Sequence, residues 1–272
     1  MRKAIFYIAI LMLVACEKQV DRPIPAENLN LVVVDATLTD EHRPQSIRLT
    51  HTVTELNAVA QPLSGASVII SDALHPPFFL TEQSADSGTY LLPPTFFAQP
   101  NVEYNLLISK DGKTYTAKTF MVPVGPFERI KVQKTAGSNL YRITWVANPY
   151  DALHPAMYEI LLDWTMVPGY SSLPPESCKA RLYYYTLPTL DVSQIFAPEM
   201  EQIRFPYGTK VIERKYSITP EHAEFIRAMI SETNWKGGLF DSAPANVPTN
   251  LSEGAVGFFA ACAVLSDTAY VK

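Results

Sequence analysis

Short runs in which apolar and polar residues alternate follow one another through the first half of the chain. Residues 45–53 alternate around Ile47 and Leu49, the period of two that is typical of a half-buried strand. Further runs rich in β-branched and aromatic residues predict strands at 29–39, 66–71, 78–81, 89–92, 103–109 and 113–120. Asp111 and Gly112, between the last two runs, are a strong hairpin signal. The pattern predicts a β-sandwich or small barrel.

The second half repeats this pattern and adds one helix. Strands are predicted at 127–133, 139–147, 156–164, 180–187, 209–218 and 255–265. Thr219 is a good N-cap and Pro220 suits the first helical position. Over 219–232 the residues Phe225, Ile226, Met229 and Ile230 fall on one face, which predicts an amphipathic helix.

The run 63–120, with its "SGASV" and "SGTY" segments and final hairpin, resembles the prealbumin-like, carboxypeptidase-regulatory β-sandwiches. Residues 139–151 and 157–164 resemble the opening strands of a fibronectin type III-like sandwich, which implies core positions for Trp145 and Tyr158. The fold class is therefore predicted as all-β, with two tandem β-sandwich domains at 29–123 (Ig- or prealbumin-like) and 124–272 (fibronectin III-like, with the helix).

The first sixteen residues carry a targeting pattern. A positive start with Arg2 and Lys3 precedes twelve apolar residues at 4–15, which is too short for a spanning helix and fits a cleaved signal peptide. The end of the run, Leu-Val-Ala-Cys at 13–16, resembles the bacterial lipobox and implies lipidation of Cys16. The alternative is an ordinary signal peptide with an incidental cysteine. Residues 16–28 are polar and contain Pro23 and Pro25, which predicts an extended tether.

Two cysteines remain beyond Cys16. In an exported, oxidising compartment Cys178 and Cys262 allow a single disulfide pairing. Two buried free thiols are the alternative, and the sequence leaves both open.

Composition argues against a disordered tail and against a nucleic-acid-binding protein. Hydrophobic residues make up 47% of the chain and charged residues 18%, which indicates a folded core rather than a disordered tail. The formal net charge of −5 offers no basic excess for a nucleic-acid partner.

Candidate catalytic chemistry is sparse. The sequence contains no metal-site spacing, no nucleophile elbow and no phosphate-binding loop, and its histidines are scattered singly at His42, His51, His75, His154 and His222. Asp151 and His154 form either a dyad or part of a solvated turn. Asp35, inside an apolar strand, is either a functional acid or occupies an edge position or pairs with Arg48. We expect no cofactor, no metal and no enzymatic activity.

Adjacent aromatic residues are the remaining candidates for binding. Consecutive strand residues point to opposite faces, so at least one of Tyr183, Tyr184 and Tyr185 should face solvent or a partner. The pairs at 78–79 and 96–97 do likewise. Such rings stack on sugars or lie in protein interfaces, or else they pack between sandwich and loop.

The order of lipobox, opening strand, sandwich, helix and closing string resembles the Bacteroidota lipoproteins labelled domain of unknown function 4249. The motif positions are Gly238, Leu239, Phe240, Asp241, Pro244, Asn250, Gly257, Phe258 and Phe259. Family members often have Tyr where this chain has Phe258. The resemblance implies an outer-membrane lipoprotein, anchored through Cys16, that acts as a non-enzymatic accessory of a TonB-dependent β-barrel receptor in nutrient uptake. A free-standing surface binding or adhesion module for a glycan or protein ligand is the alternative.

Overall fold

The structure, a computed structural model of the chain, describes residues 30–53, 58–148, 154–187, 203–234 and 247–272. Cys16, the 16–28 tether, Asp151 and the motif residues at 238–244 lie outside the described residues. Within the described ranges the chain forms sixteen strands, one α-helix (α1, Pro220–Asn234) and one 3-10 turn (Pro175–Cys178). The strands are β1 Val32–Thr39, β2 Ser46–His51, β3 Ser67–Ser71, β4 Phe78–Phe79, β5 Thr81–Glu82, β6 Thr89–Leu91, β7 Glu103–Lys110, β8 Lys113–Phe120, β9 Lys131–Lys134, β10 Leu140–Trp145, β11 Ala156–Asp163, β12 Lys179–Thr186, β13 Phe205–Pro206, β14 Lys210–Ser217, β15 Ala255–Cys262 and β16 Val264–Tyr270.

Two sheets form the first β-sandwich, one with strand order β15-β1-β2-β6-β5 and the other β4-β3-β7-β8. Because strand side chains alternate between faces, every second residue enters the space between the sheets. Leu38 and Ile47 from one sheet and Ile70 and Ile108 from the other are fully buried there. The predicted Asp111-Gly112 hairpin is confirmed, with positive φ at both residues (49° and 74°).

The second sandwich pairs the sheet β13-β10-β9 with one face of the sheet β12-β11-β14-β16. Its core combines Ile160 and Val211 of the larger sheet with Val132 and Ile143 of the smaller one. The described residues are thus mostly strand and arranged as two sandwiches, which confirms the predicted all-β class.

Strand β15 differs from the sequence-based assignment. The predicted strand at 255–265 is two strands, β15 in the first sandwich and β16 in the second, joined by the buried Ala263. β15 runs parallel to β1, with Gly257 opposite Val34, whereas β16 runs antiparallel to β14. Residues 255–262 therefore belong to a sheet of the first sandwich and not to the second domain, where the sequence analysis placed them.

Helix α1 confirms the predicted helix and extends two residues past its predicted end. Its first turn is capped by Thr219, whose Oγ1 accepts a hydrogen bond from the backbone N–H of His222 at 3.2 Å. Ala223 and Ile226 are buried against the side of β15 that faces away from the first core. Met229, expected on the buried face, is 40% exposed.

The candidate disulfide is wrong, and the alternative of two buried free thiols is what the structure has. Cys178 lies in the core of the second sandwich, with its Sγ 3.7 Å from the carbonyl oxygen of Tyr170. Cys262 lies between β15 and α1, where burial raises the pKa of its thiol to about 12. The two thiols therefore belong to different hydrophobic clusters.

Asp35 occupies an exposed position on β1, directly opposite Arg48 of β2. Since β1 lies between β15 and β2, the edge-strand explanation is wrong. The carboxylate needs no buried partner because Asp35 is exposed, with Arg48 opposite it in the strand register.

Candidate functional site

An open cleft lies at one end of the second sandwich, with a cavity volume of about 410 Å³. Antiparallel pairing creates it, because the start of β11 lies beside the ends of β12 and β14, with Ala156 opposite both Thr186 and Ser217. Residues of the smaller sheet and of the segment before it close the other side. The lining residues are Pro126, Phe127, Glu128, Trp145, Val146, Ala147, Asn148, His154, Tyr158, Thr186 and Lys215. We call this site the aromatic cleft.

The rings of Phe127, Trp145 and Tyr158 form part of the walls of the aromatic cleft. Tyr158 meets the ring of Phe127 nearly edge-on, with centroids 6.3 Å apart, and the ring of Tyr184 at the same separation. On the opposite wall, Lys131 Nζ lies 4.7 Å from the centroid of Trp145. Tyr184 is 40% exposed, so the row of rings runs from the cleft out to the surface of β12. Such an arrangement offers flat apolar faces to a ligand.

Lys215 supplies a positive charge to the aromatic cleft. Its Nζ donates a hydrogen bond to the carbonyl oxygen of Pro126 at 3.2 Å and lies 5.9 Å from the ring centroid of Tyr158. Burial lowers the pKa of Lys215, because removal from water disfavours the charged ammonium. Among the residues that the structure describes, no carboxylate lies within ion-pair distance of this ammonium to offset that effect.

The opposite face of the same strands carries an ionic cluster around the buried Glu159, the Glu159 network, made of Glu159, Arg181, Arg214 and Tyr216. The exposed Tyr183 also donates a hydrogen bond to Glu159 Oε1 at 3.4 Å. Tyr216 donates to Glu159 Oε2 at 2.9 Å, Arg214 Nη1 donates to it at 3.2 Å, and Arg181 Nε lies 3.3 Å from Oε1. Burial alone would raise the pKa of Glu159, but these donors and charges lower it below its usual range. The carboxylate is therefore held ionised inside the protein.

The Glu159 network also ties the two sandwiches together. Arg214 Nε lies 3.6 Å from Glu41, which belongs to the loop between β1 and β2. In the same loop, Asp40 accepts a hydrogen bond from the backbone N–H of Val264 at 2.8 Å. These contacts make the network a structural joint, because Arg214 lies within ion-pair distance of both Glu159 in the second sandwich and Glu41 in the first.

The tyrosine triplet on β12 behaves as the alternation predicts. Tyr183 and Tyr184 are 48% and 40% exposed, whereas Tyr185 packs partly buried against the cluster beneath α1. In the first sandwich Phe78 is partly buried while Phe79 is 65% exposed, and Phe96 is buried while Phe97 is 38% exposed.

The aromatic cleft brings together residues that the sequence analysis had treated separately or missed. Tyr158 is buried, as the resemblance to fibronectin III-like strands implied, but Trp145 is only partly buried and lines the cleft. His154 also lines it, whereas its suggested partner Asp151 lies outside the described residues. Lys215 was missed. The available signal was its position in 209–218, where it shares the inward strand face with Val211.

Within the described ranges, no group of three or more His, Cys, Asp or Glu side chains is placed to hold a metal ion. In those same ranges no helix is both long and apolar enough to cross a lipid bilayer.

Comparison with known proteins gives one family and remote likenesses to solved structures. No curated protein matches the chain. Among solved structures, the crystal structure of the chicken CNTN1 FN1–FN3 domains is similar at 12% identity and a TM-score of 0.28, over 69% of this chain. The chain spans 60% of the length of that structure. The model of the family described as domain of unknown function DUF4249 matches residues 17–268, and the chain therefore belongs to that family.

Proposed function

We propose that this chain is an outer-membrane lipoprotein that captures or presents a nutrient as a non-enzymatic accessory of a TonB-dependent receptor. The anchoring part of the proposal is supported by the sequence at 1–16, where the apolar run ends in a lipobox-like Leu-Val-Ala-Cys. Several acyl chains on Cys16 would hold the protein at the membrane, since each buried methylene contributes about 0.8 kcal/mol. The polar tether at 16–28 would leave the sandwiches free to meet a receptor.

The aromatic cleft is the observation that carries the binding role. It is concave, mixes aromatic walls with a few polar groups, and at about 410 Å³ is large enough for a small nutrient molecule. It is formed where strands end, so a ligand can enter without separating the sheets.

The exposed rings of β12 support contact with a partner. β12 is the outer strand of its sheet among the described residues, and Tyr183 and Tyr184 are 48% and 40% exposed on it. Exposed tyrosines beside a strand edge are typical of protein interfaces. Because Tyr184 also contacts Tyr158 of the aromatic cleft, a receptor bound at β12 would lie next to a captured ligand.

The test is gentle extraction of the tagged, full-length protein from its native outer membrane, followed by identification of the proteins that accompany it. A β-barrel receptor in stoichiometric amount is expected. The double variant Tyr183→Ala/Tyr184→Ala should recover several-fold less receptor. Phe79→Ala, which removes a ring that is 65% exposed on the other sandwich, is the matched control and should recover the wild-type amount. Circular dichroism of the variants separates loss of contact from loss of fold.

Recovery of the protein alone, even after crosslinking in whole cells, would overturn the accessory role. The alternative, a free-standing surface module that binds a glycan or protein, would then take its place. The aromatic cleft supports this alternative as well, because all of its lining residues belong to this chain and a ligand could bind there without a partner protein.

A further inference from the structure

The polar residues of the aromatic cleft give it a chemical preference. Lys215 uses one of its three N–H donors on the carbonyl oxygen of Pro126, which leaves two donors for a ligand. It lies at the cleft wall without a carboxylate in ion-pair distance among the described residues. A ligand carboxylate would supply the missing counter-charge through short, charge-assisted hydrogen bonds.

The rest of the lining restricts the body of that ligand. Phe127, Trp145 and Tyr158 contribute aromatic rings to the lining, and the exposed Asn148 contributes an amide that can bond to a ligand. The hydroxyl of Thr186 is already bonded to the backbone of Ala156. A sugar ring combines both needs, because its C–H faces stack on aromatic rings and its hydroxyl groups bond to amides and hydroxyls. A purely aromatic acid would cover the Asn148 amide without bonding to it, at a cost in affinity.

Besides Lys215, the lining carries the negative charge of Glu128, which limits the ligand to one acidic group. Glu128 lies at the exposed rim of the cleft, so a second carboxylate near it would be repelled. The charges therefore suit a small anion with one carboxylate.

We propose that the aromatic cleft binds an acidic sugar, a unit of the hexuronic acid class whose ring stacks on the aromatic walls and whose carboxylate pairs with Lys215. This inference rests on the proposed capture function and names its ligand class.

The test is titration of the full mature protein with galacturonate, galactose and benzoate, followed by calorimetry and by tryptophan fluorescence, to which Trp145 contributes together with Trp164 and Trp235. Galacturonate should bind at least about tenfold more tightly than galactose, which lacks the carboxylate, and than benzoate, which lacks the hydroxyl groups. Lys215→Met should weaken galacturonate binding by about tenfold or more and should weaken galactose binding by a much smaller factor. Lys215→Arg, which keeps the charge, should retain most of the affinity.

Lys210→Met is the matched control, because Lys210 is exposed at the far end of the same strand. It should bind galacturonate as the wild type does. Equal binding of galacturonate and galactose, equal binding of benzoate, or no binding of any of the three would each overturn the inference. If the extraction still recovers a receptor, only the ligand class has failed. Galacturonate binding by a protein that is recovered without a receptor would keep the ligand class and overturn the accessory role.

Discussion

His222 shows how one residue can change its chemistry through position alone. It lies in the first turn of α1, and its ring stacks on that of Phe258 with centroids 4.9 Å apart and an interplanar angle of 10°. Burial there lowers the pKa of His222 to about 4, because the charged imidazolium is disfavoured away from water. The histidine is therefore neutral at physiological pH and serves as an aromatic packing residue.

This shift predicts a loss of stability in mild acid. The unfolded chain takes up the His222 proton near pH 6.5, but the folded protein does so only near pH 4. Between these values the unfolded state binds more protons, so the free energy of unfolding falls as the pH drops from 6.5 towards 4 and is fully retained above 6.5. At pH 5 the loss from this residue is about 2 kcal/mol.

Urea denaturation at pH 7.5 and pH 5.0 measures this effect. The wild type should lose about 2 kcal/mol more than His222→Gln over this interval. His75→Gln, which removes a surface histidine beside Asp72, should retain the wild-type dependence. Equal losses in the wild type and His222→Gln would contradict the prediction.

At the scale of the element, β15 depends on a close approach that only glycine permits. Gly257 has φ +99° and lies opposite Val34 of β1. A Cβ at this position would stand 2.2 Å from the carbonyl oxygen of Val34, well inside van der Waals contact. Asn250 holds β15 two residues further on. Its side-chain oxygen accepts a hydrogen bond from the backbone N–H of Phe259 at 3.0 Å, and its side-chain nitrogen donates to the carbonyl oxygens of Phe259 at 2.7 Å and of Lys118 on β8 at 2.9 Å. These contacts explain two of the family motif positions.

Gly257→Ala should therefore destabilise the protein by more than about 2 kcal/mol, because the added methyl group forces β15 away from β1. Gly137→Ala is the matched control: it has φ +69° but nothing within 4 Å of an added Cβ, so it bears only the backbone strain of about 1 kcal/mol. Urea denaturation midpoints compare the two. Similar losses in both variants would show that the approach to Val34 has no energetic consequence.

At the scale of the whole molecule, β15 joins the two halves. Phe259 and Ala261 on one face belong to the core of the first sandwich, whereas Phe258 and Cys262 on the other belong to the cluster under α1. The chain then continues through Ala263 into β16 of the second sandwich. Removing either sandwich would expose a buried face of this strand, so the two should unfold together.

Phe259→Ala tests this coupling. Phe259 is fully buried in the first core, so its removal should cost about 3–5 kcal/mol. All three tryptophans lie in the second half of the chain, so their fluorescence follows unfolding away from the mutated core. If the sandwiches unfold together, the fluorescence transition should nevertheless move to lower urea concentration, together with the transition seen by far-UV circular dichroism. Phe79→Ala, at an exposed position, should leave both transitions in place. A fluorescence transition that does not move in Phe259→Ala would show that the sandwiches unfold independently.

Local patterns in the sequence were sufficient for the features that depend on near neighbours. Alternation around Ile47 and Leu49 predicted β2, Asp111 and Gly112 predicted the hairpin, and Thr219 predicted the start of α1. Each of these depends on strand period, turn conformation or capping, and so on residues a few positions apart. The sequence by itself therefore determined these elements and the all-β class.

Only the tertiary structure decided how distant segments meet. The apolar run 255–265 is compatible with any buried strand. Its pattern therefore could not reveal that residues 255–262 pair with β1, more than 200 residues earlier, or that the chain then passes into a different sheet. The sequence allowed Cys178 and Cys262 to be either a disulfide or two free thiols, and the structure has them as free thiols packed into separate clusters. The aromatic cleft likewise exists only because antiparallel pairing brings Lys215 and Tyr158 to the end of a sheet that faces Trp145. Such contacts are set by the packing of whole sheets, and no local period in the chain encodes them.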